Sequence, residues 1–318
     1  MKLSSRKMDG AKPSSWSRAS LLNRLVSLAE GRYWAYLLIA PSLLLVGAVV
    51  IYPIIDGILL SFREYRLNRP ALGTPWIGLE HYRRLMTDPI IRIALRNTLI
   101  WVSVGAVSQF LIGMIAALAL HRQLRGMGAA RILVLVPWLL PSVVSANMWR
   151  FMLDARLGIV NDLLVRVGLF ETPRAWFTSP GTALYEVLGV ELWKNFPFFT
   201  LFTLAGLHAI PQELYDAASV DGSGTWRRFR HVTIPLLMPV IVAAVILRVI
   251  GLFNSPDVLL ILTGGGPGNA TQTISLYGFQ TAYLKFDFGY AASISVLALA
   301  CLMAFTVVYV RVSGVTRE

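Results

Sequence analysis

Six stretches of this chain stay apolar for about 20 residues or more, and they constrain it to a bundle of membrane-crossing helices. They run over residues 34–60, 94–120, 130–152, 183–209, 235–262 and 289–311. A helix needs ~20 mostly apolar residues to cross the hydrocarbon core of a bilayer. Charge is correspondingly scarce. Only 14% of the 318 residues are charged and 56% are hydrophobic, with a mean hydropathy of +0.62. A soluble domain carries about 25% charged residues. The expected fold class is an all-α integral membrane protein with about six transmembrane helices.

The net charge of +12 does not point to nucleic acid, because no basic stripe interleaved with aromatics lies on a polar face. Cytoplasmic loops of membrane proteins collect Lys and Arg, and that bias sets orientation. Residues 1–34, 121–131, 209–234 and 311–318 hold 15 Lys and Arg, against 11 in the longer alternate loops 61–92, 150–183 and 254–287. Both termini are thus expected in the cytoplasm, and the 209–234 loop with them. The first apolar run follows about 33 residues rich in Lys and Arg, too long and polar for an ordinary cleaved signal, and reads as an uncleaved anchor. The expected organisation is a cytoplasmic segment over 1–33, a transmembrane domain over 34–311 and a cytoplasmic tail over 312–318. Between the spans, residues 61–93 read as an irregular loop with a short helix near Glu80–Met86. Residues 153–182 read similarly, and 263–268 as a flexible turn.

Nothing in the chain suggests covalent chemistry. Cys301 is the only cysteine, and His81, His121, His208 and His231 are scattered without paired ligand spacing, so no metal site is expected. HExxH and GxSxG patterns are absent, Asp154 and Asp162 read as solvated loop residues, and no phosphate-binding Walker A pattern is present. An enzyme is therefore not expected. An ion-gradient-driven secondary transporter is the alternative reading. It calls for internal inverted repeats, and none is visible.

One polar loop carries a specific pattern. Tyr215-Asp216-Ala217-Ala218 is followed after three residues by Gly222, and nine residues later by Val232-Thr233-Ile234-Pro235. Pro211 suits the first turn of a helix, and Glu213 and Asp216 place negative charge near its positive end. Gly222 and Gly224 suit a tight turn, and Pro235 suits the start of the next span. This loop resembles the EAA loop of bacterial ABC importer permeases, with Asp216 where that family usually has Glu. The resemblance implies a type I importer permease fold whose cytoplasmic coupling helix docks onto an ATPase. Asp216, Ala217, Ala218, Gly222 and Pro235 are the coupling residues it implies.

Further segments narrow the resemblance. Glu191-Leu192-Trp193-Lys194-Asn195-Phe196-Pro197-Phe198, the run from Phe253 to Pro267 with Ala270-Thr271-Gln272-Thr273, and Phe288-Gly289-Tyr290-Ala291-Ala292-Ser293 are similar to elements of the maltose-type carbohydrate uptake permeases. Within that family the chain resembles the first of two paired permeases. The resemblance implies a bacterial inner-membrane importer subunit for a di- or oligosaccharide or a sugar derivative. The implied partners are a second permease, two ATPase subunits that bind ATP and magnesium, and an extracytoplasmic sugar-binding protein; the chain itself holds no cofactor. Alignment on the family pattern puts Glu191, Lys194, Asn195, Phe198, Arg248, Leu252 and Ser255 along the sugar pathway. Charged residues inside a span face a cavity or a partner. Glu191 and Lys194, three apart, share a helix face and can neutralise one another; Lys194 and Arg248 have the alternative reading of structural ion-pair members that close the pathway. Two cations, Lys194 and Arg248, near one cavity suit an anionic sugar. Pro256, beside Asn254 and Ser255, is expected to break the fifth span.

Overall fold

The structure, a computed structural model, describes residues 34–122 and 126–313. The 1–33 segment and most of the 312–318 tail lie outside the described residues, so the expected placement of the two ends does too. Among the described residues the chain is helical, with no strand beyond two isolated bridges, Arg63 with Trp76 and Arg66 with Asp287. Two compact units divide at Gly57 and Ile58.

The first unit holds α1 (Trp34–Val46), a π turn over Gly47–Ile51 and the start of α2 (Tyr52–Leu60). Leu38–Leu60 is long and apolar enough to cross a membrane. Pro53 follows the π turn by two residues. Proline has no N–H for the carbonyl four residues back and its ring clashes with it; a wider π turn accommodates that loss.

The second unit begins with an irregular segment and the short α3 (Glu80–Thr87), as expected. Helix α4 (Pro89–Leu120) follows, capped by Asp88, whose carboxylate accepts the Ile90 N–H at 2.8 Å. Then come α5 (Met127–Leu139), α6 (Ser142–Met152) and α7 (Ile159–Arg166). Helix α8 (Ala183–Ala209) is 27 residues long. Beyond it lie α9 (Gln212–Val220), α10 (Thr225–Arg228), a π turn over Phe229–Thr233, α11 (Ile234–Asn254) and α12 (Asp257–Leu262). The chain closes with α13 (Ile274–Tyr283) and α14 (Phe288–Ser313).

Two expectations need correction. The 130–152 run is not one straight span. It is α5 and α6, bent by 95°, because Pro141 forces Leu140 into extended backbone (ψ 135°). The fifth span does not start at Pro235: its helix begins at Thr225 and runs through the second π turn, which again lies directly before a proline. Counted by length and apolarity, four helices among the described residues can cross a membrane, or five with the bent pair. Helix α8 is long enough, but Glu186, Glu191 and Lys194 make it more polar than the others. The expected break at Pro256 is present. Ser255 is extended (φ −102°, ψ 102°), and Pro256 caps α12.

The core forms where α4, α8 and α11 meet. Gly113 of α4 is the close-approach point: a Cβ there would lie 2.6 Å from the Phe199 Cβ and 2.8 Å from the Phe196 carbonyl oxygen of α8. At one end of the bundle a polar cluster ties α3, α4, α13 and α14 together. The Asp88 Oδ2 accepts the hydroxyls of Tyr277 and Tyr290, each at 2.7 Å. Burial works to raise the Asp88 carboxyl, but those hydroxyls and the Ile90 N–H outweigh it and hold it below the usual carboxylate range. Beside it Arg84 lies over the Tyr290 ring and pairs with Asp287 at 3.1 Å.

Candidate functional site

Two regions gather the residues singled out in the sequence. The first is the loop between α8 and α11. Helix α9 has Pro211 at its N-cap and Glu213 in its first turn. Its C-terminus closes as a Schellman motif: the Gly222 N–H donates to the Ser219 carbonyl at 3.0 Å, and the Ser223 N–H to the Ala218 carbonyl at 2.9 Å. That geometry needs a left-handed residue, and Gly222 supplies it at φ +74°. Gly224 is different: its φ is −68°, and any residue adopts that.

The segment is pinned to the helix that follows. Arg228 donates to the Ser219 hydroxyl at 2.8 Å, and the Tyr215 hydroxyl lies 3.1 Å from that of Thr233. What stays exposed is of mixed character. Asp216 carries only the Gln212 amide, at 3.1 Å. Ala217 is exposed and Ala218 half-buried. Val220 is 89% exposed and Trp226 71%.

The second region is a polar knot inside the bundle. Glu191 of α8 pairs with Arg248 of α11 at 2.5 Å, the ion-pair reading of Arg248, and not with Lys194 on its own helix. Arg248 also donates its Nε to the Gln109 Oε1 at 2.5 Å. The Asn195 amide donates to the Glu191 carboxylate at 2.9 Å. Gln109 of α4 is fully buried and was absent from the sequence-based site; a lone Gln in an apolar run 139 residues from its partner gives no local signal. Lys194 is buried on the same helix.

The other pathway residues lie apart from the knot. Phe198 is half-buried in an aromatic group, 4.6 Å from Phe202 and 6.4 Å from Trp138 between ring centroids. Trp193 packs edge-on against Trp149 at 5.5 Å. Ser255 is half-buried at the helix break. Leu252 is 1% exposed and faces Gly105 across the core, and its carbonyl accepts the Trp101 indole N–H at 3.2 Å.

The glycine-rich turn after α12 is tightly built. Gly264, Gly265 and Gly268 all have positive φ. A Cβ at Gly265 would fall 1.8 Å from the Gln272 side-chain oxygen. Asn97 of α4 holds the following loop by donating to the carbonyls of Ala270 and Gln272, each at 3.0 Å. The Thr98 hydroxyl accepts the Ile274 N–H at 2.9 Å, where α13 begins. Neither anchor nor α13 was evident in the sequence.

Comparison with known proteins agrees with this architecture. Residues 109–315 match the sequence profile of the family described as binding-protein-dependent transport system inner membrane component. The trehalose/maltose transport system permease protein MalF of Thermococcus litoralis is 37% identical over 286 residues, covering 89% of this chain and 94% of that protein. The sulfoquinovosyl glycerol transport system permease protein SmoG of Agrobacterium fabrum is 35% identical, covering 88% and 90%. Among solved structures, a chain of a bacterial ABC transporter involved in the import of the acidic polysaccharide alginate superposes with a TM-score of 0.78. It is 20% identical and covers 93% of this chain and all of that one. At that identity the likeness is one of fold.

Proposed function

The chain belongs to the family of binding-protein-dependent transport system inner membrane components, and from that premise we propose that it is one of two permease subunits of an ATP-driven sugar importer. It is a multi-pass inner-membrane transport subunit and not an enzyme. In this reading residues 34–311 form the membrane domain and both termini lie in the cytoplasm. An extracytoplasmic binding protein delivers the sugar, a second permease completes the pathway, and two partner ATPase subunits hold ATP and magnesium.

The observation that carries the reading is the α9 loop. A helix held by a Schellman turn and by Arg228 and Tyr215 is stiff enough to transmit a push into α11. Its exposed Trp226 offers an ATPase the kind of aromatic anchor that interfaces favour, with Val220 and Asp216 exposed on the same loop. Asp216, Ala217, Ala218 and Gly222 seat the loop on the ATPase, and Pro235 lies ten residues into the helix that carries the push onward. On the pathway side, Asn195 and Lys194 meet sugar hydroxyls, Phe198 stacks on a sugar face, and Ser255 lies at the break in the helix. Leu252 shapes the wall by packing. Glu191 cancels the charge of Arg248, so one of the two cations that favoured an anionic cargo is already matched and a neutral di- or oligosaccharide is the favoured class.

ATP hydrolysis by the complex purified from its operon, with its binding protein and a panel of neutral and anionic sugars, tests this. Stimulation by a neutral sugar, abolished by disrupting the α9 loop, is expected. Transport that persists after ATP depletion, with no ATPase co-purifying, would overturn it in favour of a gradient-driven transporter.

A further inference from the structure

An apolar groove runs along the exposed side of α4 and α14. Two adjoining cavities of about 400 Å³ and 420 Å³ form it, and Leu95 lines both. Leu99, Val102, Leu302 and Phe305 line the deeper part, and Arg96 and Arg92 stand at its edge. Both arginines are exposed, one helical turn apart on α4. Neither belongs to an ion pair among the described residues. The carboxylate beside the groove, Asp88, is taken up by Tyr277, Tyr290 and the Ile90 N–H. Like charges at i and i+4 on a helix repel, and an anion shared between them reverses the sign.

Depth settles what kind of anion. Helix α4 has 32 residues, about 48 Å at ~1.5 Å per residue, against a hydrocarbon core of ~30 Å. Shared between its two ends, the excess is about 9 Å, or roughly six residues. That puts Arg92 in the headgroup layer and Arg96 at its lower edge, with Leu99 and Val102 already in the hydrocarbon. A soluble anion would leave the apolar groove bare, and a zwitterionic lipid would bring an ammonium beside the two arginines that offsets its phosphate.

We propose that this groove binds an anionic phospholipid. Its phosphate lies between Arg92 and Arg96, and one acyl chain runs along Leu95, Leu99, Val102 and Leu302. The site is separate from the sugar pathway and from the α9 loop.

The test uses the assembled complex in nanodiscs of equal parts phosphatidylglycerol and phosphatidylethanolamine, stripped with mild detergent and examined by native mass spectrometry. Retained lipid should be enriched in phosphatidylglycerol. The double variant Arg92→Gln/Arg96→Gln should lose that enrichment by roughly tenfold, about the effect of one charge-assisted hydrogen bond. Arg96→Lys should keep most of it, and Leu99→Trp should lower retention with both charges intact. A photo-crosslinker on Cys301, the single cysteine and itself a groove residue, should label lipid. Equal retention of the two lipids by native protein and double variant would overturn the proposal. So would labelling of the second permease from Cys301, or displacement of the lipid by millimolar inorganic phosphate.

Discussion

Arg248 directs its guanidinium at two partners inside the bundle, the Gln109 amide oxygen and the Glu191 carboxylate, while Asn195 completes the carboxylate's shell. Removing one member of such a pair leaves a buried charge uncompensated, at a cost of ~3–5 kcal/mol. Glu191→Leu alone should therefore lower the unfolding temperature of the purified complex sharply, and adding Arg248→Met should recover most of the loss. If the two single effects simply add, the pair is not a unit. The sequence placed Glu191 beside Lys194 because three-residue spacing is all a helix shows locally. Its actual partner is 57 residues away, on another helix. His81 makes a different kind of prediction. It is 4% exposed, near the Arg63 carbonyl at 3.1 Å, and burial holds its imidazole below the ordinary value of 6.5. The folded protein therefore binds a proton less readily than the unfolded chain, so stability is complete above about pH 6.5 and declines as pH falls below it. His81→Gln should flatten that decline in thermal melts taken between pH 7 and pH 5.

At the scale of elements, small residues let the helices approach. A Cβ at Gly113 would collide with both side chain and backbone of α8, so Gly113→Ala should lose roughly 1–3 kcal/mol to overpacking. Gly189 has nothing within 4 Å of the same added atom, so Gly189→Ala is the matched control. Membrane yield and melting temperature of the two variants should separate clearly; equal behaviour would mean α4 and α8 can slide apart without loss. The helices themselves were legible wherever a long apolar run dominated, as for 94–120 and 289–311, which became Pro89–Leu120 and Phe288–Ser313. The bend at Leu140–Pro141 was not, because apolarity stays high on both sides of it. Helix α13 was not either. It is ten residues of mixed polarity, and its first turn is fixed by Thr98 and its own Thr273 N-cap, contacts that a linear reading does not contain.

Across the whole molecule, the α9 loop and the polar knot are linked by one continuous piece of chain, since the helix that starts at Thr225 carries Arg248 further along. A displacement of the loop thus reaches the bundle interior without crossing a flexible joint before Ser255. The weak point of that lever is the turn at Gly222. Alanine there would have to hold φ +74°, which costs an L-residue ~1–2 kcal/mol. No atom lies within 4 Å of the added Cβ, so the loss comes from the backbone alone. Gly222→Ala should weaken loop docking by roughly 5- to 30-fold, the equivalent of that free energy, and lower ATP-driven uptake with expression and membrane insertion intact. Gly222→Asn should lie between, because asparagine tolerates the left-handed region better. Gly224→Ala, at φ −68° with open space around it, should transport like the native protein. If both alanine variants fail equally, the loop acts through its surface and not through the turn that closes α9.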